Sequence, residues 1–252
     1  MMGRMFRCLL KRELRALFYT PLAYAILFFF WMLSGLNFYW LLRQLADGER
    51  VFMALQLLFN GPLITFSLPV VVPLITMRLI AEERRLGTME AVLTTSVTER
   101  QWVVVKFVGA LIFYLLLWLP TLLFCVVLGW LCGEQGVMFP DWGVVSAAFV
   151  GVVLVGLFYT AVGLFMSALT SNQVVAAIGG FSILFGSLIA FMFMGYNTQL
   201  DTLRSVGQFF STFAHMLEFS RGVVDSRMVL FYVGQTAWLL YTSICILEWK
   251  RG

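Results

Sequence analysis

The sequence predicts an all-α polytopic membrane protein with six transmembrane helices. Of its 252 residues, 61% are hydrophobic and only 12% are charged, which is about half the charged fraction of a soluble domain. Its uncharged runs are long enough to cross a bilayer, which takes about 20 apolar residues per helix. The basic residues gather at alternate ends of these runs, as the positive-inside rule describes. Together these observations exclude a soluble globular domain.

The uncharged runs define the six spans. The run of residues 142–200 is too long for one crossing, and its polar interruption at residues 167–173 predicts a reversal of the chain there. In the second run, the Asn-Gly-Pro sequence at residues 60–62 breaks the helix near its start. We treat residues 1–252 as a single transmembrane domain. Its predicted spans are residues 21–42, 56–78, 103–131, 143–168, 174–196 and 228–247.

The distribution of basic residues predicts the orientation. The N-terminus, the segment 78–106 and the C-terminus hold 12 of the 17 lysines and arginines. Because basic residues favour the cytoplasmic side, we expect a multi-pass protein of the cell membrane with both termini in the cytoplasm. The first apolar run is 21 residues long and no A-x-A site follows it, so it predicts a retained span and not a cleaved signal peptide.

Residues 1–19 predict an interfacial helix that lies on the inner leaflet. On a helical wheel one face is apolar and the opposite face is basic. The apolar face holds Phe6, Leu9, Leu10, Leu14 and Leu17, and the basic face holds Arg4, Arg7, Lys11 and Arg15. Glu13 interrupts the apolar face, and a contact with a partner is the explanation that the sequence offers. The simpler alternative is that these cations only satisfy the positive-inside rule.

The charged segment 79–101 predicts a folded elbow between spans two and three. A short helix ends at Gly87-Thr88, a second short run follows, and Thr98 with Gln101 forms a capping box that opens the third span. A plain connection would need only about 2–8 residues. Mixed charges and apolar side chains favour a docking site for another protein, and the alternative is a solvated loop.

The sequence "LITMRLIAEERRLGTMEAVLTTSVTERQWVVVKFVGALIFY" at residues 74–114 resembles the signature of ABC-2 type permeases. The residues that fit the family pattern are Pro73, Met77, Arg78, Ala81, Glu82, Glu83, Arg85, Gly87, Thr88, Glu90, Leu93, Thr94 and Val97, whereas Val92 and Ser96 depart from it. The resemblance implies a type V exporter-like fold, found in the bacterial inner membrane, in which this segment is a cytoplasmic coupling helix. It would dock on a separate ABC ATP-binding subunit through Glu82, Glu83, Arg84, Arg85, Gly87, Thr88 and Glu90.

A later stretch, "HMLEFSRGVVDSRMVLFY" at residues 215–232, is similar to a segment of gliding-motility-associated permeases, although Met216 and Met228 depart from the pattern. Its aromatic residues predict short helices on the outer side, within residues 197–227, and Arg221 and Asp225 could pair at i, i+4. The resemblance implies that this segment shapes an outer gate formed by His215, Phe219, Arg221, Gly222 and Asp225. The alternative is that the segment only packs against the last span.

The sequence lacks the residues that ATP hydrolysis and metal binding would require. None of the three lysines follows a glycine, so a Walker A motif is absent and ATP hydrolysis must occur in a partner. We therefore expect no enzyme activity and no cofactor in this chain, with ATP and Mg²⁺ bound by the partner ATPase. The single histidine argues against a metal cluster. No nucleic-acid partner is expected.

Small residues at a spacing of four suggest close helix contacts in spans four and five. They are Ala147, Gly151, Gly163, Ser167, Ser182, Gly186 and Ala190. These contacts could form within the chain, or Ser182, Gly186 and Ala190 could form a seam with a second or paralogous permease.

The main hypothesis for the function of the chain is an exporter of hydrophobic or amphiphilic substrates from membrane lipid. The alternative is a mechanotransmitting or assembly subunit of gliding or secretion type that acts on an extracytoplasmic accessory protein.

Overall fold

A computed structural model of the chain describes residues 2–46, 51–87, 98–134, 142–197 and 201–249. Within these ranges the chain is helical and contains no strand. The helices are α1 (Met2–Phe18), α2 (Pro21–Ala46), α3 (Val51–Asn60), α4 (Pro62–Thr76), α5 (Ala81–Arg85), α6 (Glu99–Leu117), α7 (Leu119–Glu134), α8 (Trp142–Leu169), α9 (Gln173–Asn197), α10 (Asp201–Phe210), α11 (Thr212–Phe219) and α12 (Ser226–Trp249). Six helical stretches of the described residues are long and apolar enough to cross a membrane, so the predicted fold class is confirmed.

The second span is broken at the predicted Asn-Gly-Pro sequence, since α3 ends at Asn60 and α4 begins at Pro62. Asn37 of α2 donates from Nδ2 to the carbonyl of Leu57, at 2.9 Å. Asn60 donates from Nδ2 to the carbonyl of Phe213, at 3.1 Å. One amide thus supplies a partner to a carbonyl just before the break, and the other joins the break to α11. A buried polar group without a partner would be costly there.

The third span is also broken, which the sequence analysis did not predict. α6 ends at Leu117 and α7 begins at Leu119. Pro120 has no backbone N–H and cannot continue the helical ladder. The tight turn is closed by the Trp118 N–H, which donates to the carbonyl of Leu115 at 3.1 Å.

The second and fourth spans form the core of the bundle. In their apolar windows 67% and 61% of residues are buried, against 22% in the fifth and sixth spans. α4 packs against α2, α8 and α9, while α12 packs against α8 and α6. α9 and α12 therefore leave most of their apolar surface facing out of the protomer.

The small residues of α8 are used for packing within the chain. A Cβ at Gly151 would lie 2.7 Å from the ring of Phe219, and a Cβ at Gly163 would overlap the side chain of Thr76. Thr76 is fully buried and its hydroxyl donates to the carbonyl of Val72, at 2.9 Å. Thr76 cannot move aside without losing that bond, so α4 and α8 can approach only because residue 163 has no side chain.

We expect Gly163→Ala to lower the free energy of unfolding by about 1–3 kcal/mol, the usual cost of overpacking a core. Gly234→Ala in α12 is the matched control, because nothing lies within 4 Å of a Cβ at Gly234. Thermal unfolding of both variants in the same detergent measures the difference. If the two variants unfold at the same temperature, the close approach of α4 and α8 at Gly163 is wrong.

Candidate functional site

The predicted elbow begins where the second span ends. α5 (Ala81–Arg85) follows a turn over residues 77–80, and the chain leaves α5 at Gly87, whose φ is +69°. The N–H of Leu86 donates to the carbonyl of Glu82, at 2.9 Å. Left-handed backbone is strained for residues with a Cβ, and most of all for β-branched ones. The break predicted at residue 87 is present, and glycine is the residue that allows it.

Ser167, near the end of α8, fixes the start of α5. Its Oγ accepts from the backbone N–H groups of Ile80 and Ala81, both at 3.0 Å, and donates to the carbonyl of Met77, also at 3.0 Å. Ser167 is fully buried. A hydroxyl has one donor and two acceptor positions, so all of them are used here. This one side chain therefore joins the turn before α5 to the fourth span.

Arg84 makes a second contact with the same end of α8. Its NH1 donates to the carbonyl of Ala168, at 2.9 Å. The last carbonyls of a helix have no partner within the helix and carry partial negative charge, so a cation is favoured there. Arg84 thus faces into the chain and holds α5 against the fourth span.

A buried ion network connects α5 to α1 and α6. Lys106 of α6 is only 2% exposed, and its Nζ lies 2.7 Å from Oε1 of Glu83 and 3.1 Å from Oε2 of Glu13. Lys106 Nζ also lies 4.8 Å from the centre of the Trp102 ring, which adds a cation–π contact. Arg12 NH2 borders the network, 3.4 Å from Oε1 of Glu13. One lysine therefore holds carboxylates from two other elements.

The network corrects the expectation for Glu13. Glu13 has its partner within the chain, since α1 packs against α6 and places its carboxylate beside Lys106. Glu83 and Arg84 also have partners inside the chain, whereas the sequence analysis expected them to pair across an interface.

The outer surface of the elbow is formed by other predicted residues together with Leu86, which the prediction did not include. Arg85, Leu86 and Gly87 are exposed, and Glu82 is half-buried. Thr88 and Glu90 lie outside the described residues. The surface that α5 presents outward thus combines a cation, an apolar side chain and the left-handed turn.

Residues 51–247, more than three quarters of the chain, match the family model described as "ABC-2 family transporter protein". The chain belongs to the ABC-2 transporter family. No curated protein matches it. The matched range of this ABC-2 transporter protein includes α5, α6 and Lys106, while α1 and Glu13 precede it.

The far end of the ABC-2 transporter protein, opposite α1, holds α10 and α11 between the fifth and sixth spans. His215 is 4% exposed, and its Nδ1 lies 3.1 Å from the hydroxyl of Tyr232. Burial lowers the pKa of His215, so its neutral form is favoured. Phe219 is fully buried and packs against Gly151 of α8. These two residues act within the chain as anchors of α11.

The predicted pairing of Arg221 with Asp225 is wrong. Asp225 Oδ1 accepts instead from the backbone N–H of Arg227, at 2.9 Å, and the described ion pairs do not join Arg221 to Asp225. The i, i+4 rule applies to a continuous helix, but α11 ends at Phe219 and Gly222 turns the chain with a φ of +85°. Arg221 and Gly222 are exposed at this turn.

The predicted seam residues of this ABC-2 protein lie on the outside of α9. Ser182, Gly186 and Ala190 are all exposed, and nothing lies within 4 Å of a Cβ at Gly186. Their side of α9 is not used for packing within the described chain. The contact of these residues with a second permease therefore stays a prediction.

Proposed function

We propose that this chain is the membrane-spanning permease subunit of an ATP-driven exporter, and that its elbow docks on a separate ABC ATP-binding subunit. The observation that carries the proposal is the anchoring of α5 to three other elements. Ser167 and Arg84 join it to α8, and Glu83 joins it through Lys106 to α6 and α1. A push on the outer surface of the elbow would therefore reach helix α1, the third span and the fourth span together.

The physical basis of this transmission is burial. Hydrogen bonds and ion pairs that are withdrawn from water have no solvent to replace a lost partner. Ser167 is fully buried and Lys106 is 2% exposed, so the elbow cannot leave them without a large cost. The groups therefore move as one body, while Arg85 and Leu86 remain exposed for a partner.

We infer the orientation of the chain in the membrane from the distribution of basic residues. α1 carries Arg7, Lys11 and Arg15 on an exposed face and packs against α6. Because basic segments favour the cytoplasmic side, we place α1, α5 and both termini in the cytoplasm of a multi-pass cell-membrane protein. An ATP-binding subunit, with its ATP and Mg²⁺, would meet the elbow there and carry out the hydrolysis.

The transported substrate would be hydrophobic or amphiphilic and would enter from the inner leaflet. α9 and α12 leave apolar surface facing out of the protomer, which suits a path formed between two permease copies, identical or paralogous. Ser182, Gly186 and Ala190 on α9 are our candidates for that seam. The comparisons do not support the gliding-motility subgroup, and no described contact favours a mechanotransmitting subunit.

The docking proposal predicts that Arg85→Glu combined with Leu86→Asp releases the ATP-binding subunit. Loss of an apolar contact and reversal of a charge at an interface each cost about 1–3 kcal/mol, so we expect at least a tenfold loss of captured ATPase. The full tagged chain is purified from native membranes, and the bound ABC ATPase is quantified with its Mg-ATP turnover. Thermal unfolding should not change, because both side chains are exposed.

The control is Arg204→Glu on α10, an exposed arginine at the far end of the bundle. It should leave ATPase capture unchanged. Equal capture by the elbow variant and this control would overturn the assignment of α5 as the docking element.

A further inference from the structure

A cavity of about 420 Å³, lined by both polar and apolar groups, opens at the far end of the bundle. It lies between the end of α9, helices α10 and α11, and the start of α12. Its size falls within the range of small-ligand sites, about 300–1,000 Å³. The polar side chains that line it include Gln208, His215, Glu218, Arg221, Asp225 and Arg227.

The charges around this cavity are balanced. Two guanidinium groups, of Arg221 and Arg227, and two carboxylates, of Glu218 and Asp225, share one lining. His215 lies against Tyr232, with Nδ1 3.1 Å from its hydroxyl, and adds a polar group at a buried position. A ligand with one positive and one negative group would meet a partner for each, whereas an anion alone would also meet two carboxylates.

The position of α10 places the cavity at the level of lipid headgroups. Ser205 and Gln208 of α10 line the cavity, while Leu203 and Val206 are exposed at 41% and 45%. A helix that is polar on one side and exposes apolar side chains on another lies at the boundary of headgroups and acyl chains. Ser226, where the sixth span begins, follows the cavity residue Asp225 directly.

We infer that this cavity binds the headgroup of a phosphatidylethanolamine-type lipid. The phosphate would lie at Arg221 and Arg227, and the ammonium group would donate to Glu218 and Asp225. Guanidinium groups bind phosphate oxygens through paired N–H donors, and an ammonium group offers three donors to carboxylates. The acyl chains would follow the exposed apolar side of α10.

The same chemistry predicts selectivity among headgroups. Choline carries a positive charge but no N–H donor, so Glu218 and Asp225 would lose their hydrogen bonds. A glycerol headgroup carries no positive charge and leaves both carboxylates beside an anion. The inference goes beyond the proposed export function, because it needs neither the ATP-binding subunit nor the elbow.

The test is lipid retention measured by native mass spectrometry on the full purified chain. The chain is delipidated in detergent and titrated with equal amounts of phosphatidylethanolamine, phosphatidylcholine and phosphatidylglycerol of the same acyl chains. Wild type should retain one phosphatidylethanolamine per chain in preference to the other two lipids. Glu218→Gln and Arg221→Gln should each reduce that retention about tenfold, the usual effect of losing a hydrogen bond to a charged group.

The matched controls are Asp201→Asn and Arg204→Gln, which remove the same charges from exposed positions of α10 outside the cavity lining. They should retain lipid as wild type does, and Arg227→Gln is an independent second arginine variant. Equal retention of the three lipids, or full retention by Glu218→Gln and both arginine variants, would overturn the assignment. Competition by soluble glycerophosphoethanolamine at equal concentration would assign the cavity to a soluble zwitterion and overturn the lipid proposal.

Discussion

Replacing Lys106 with methionine is expected to lower the free energy of unfolding by about 3–5 kcal/mol, the usual cost of removing one partner of a buried ion pair. The variant removes the buried cation that lies 3.1 Å from Glu13 and 2.7 Å from Glu83, and the half-exposed Arg12 is a weaker substitute for it. Glu13 is 6% exposed and cannot turn to water while α1 stays packed against α6. The lower free energy of unfolding therefore comes mainly from the two carboxylates that have lost their contact with Lys106.

Thermal unfolding in detergent measures this effect, with Lys11→Met as the control. Lys11 is an exposed lysine on α1, and exposed charges contribute about 0–1 kcal/mol. Adding Glu13→Gln to Lys106→Met should recover part of the stability, because it removes one of the two stranded charges. An unfolding temperature for Lys106→Met that equals that of Lys11→Met would show that Lys106 does not hold a buried network.

The presence of six spans could be predicted because each span depends on local sequence. The reversal at residues 167–173 is present, since α8 ends at Leu169 and α9 begins at Gln173. The Thr98 capping box is also confirmed, with Gln101 N–H donating to Thr98 Oγ1 at 3.4 Å. Run length, capping residues and helix breakers act within a few positions, so one sequence is enough to find them.

The anchoring of the elbow could not be predicted, because it depends on how distant helices align. Glu13 and Lys106 are 93 positions apart. Glu13 interrupts the apolar face of α1, and Lys106 lies at the start of the apolar third span. Two opposite charges, each in an apolar setting, were the sequence signal that these residues could pair. Ser167 was interpreted only as a small packing residue, because its hydrogen bonds depend on the end of α8 meeting the turn before α5.

Two local errors came from giving too little weight to helix breakers. Pro120 marks the break in the third span between α6 and α7. Gly222 marks the turn that separates Arg221 from Asp225. Both residues are visible in the sequence. The third span itself stands, since residues 99–130 form one stretch long enough to cross a membrane, whereas the Arg221–Asp225 pairing wrongly assumed a helix through Gly222.

The second large effect is expected from Ser167→Ala. The substitution removes three hydrogen bonds and leaves the backbone N–H groups of Ile80 and Ala81 buried without their acceptor. An unsatisfied buried group costs about 1–3 kcal/mol, so local opening of the turn before α5 should become at least tenfold more frequent. Hydrogen–deuterium exchange of the peptide that contains residues 77–86 measures this opening directly.

Ser243→Ala in α12 is the matched control for this prediction. Ser243 is also fully buried, but its hydroxyl donates to the carbonyl of Leu239 within its own helix, at 2.7 Å. Removal of the Ser243 hydroxyl leaves no backbone N–H group without an acceptor, so exchange in residues 77–86 should stay as in wild type.

With the ATP-binding subunit present, Ser167→Ala should keep the subunit bound through the intact surface of Arg85 and Leu86, yet lose the coupling of ATP turnover to transport. Unchanged exchange at residues 77–86 in Ser167→Ala would mean that the elbow is held by other contacts and that α8 does not receive its motion through Ser167.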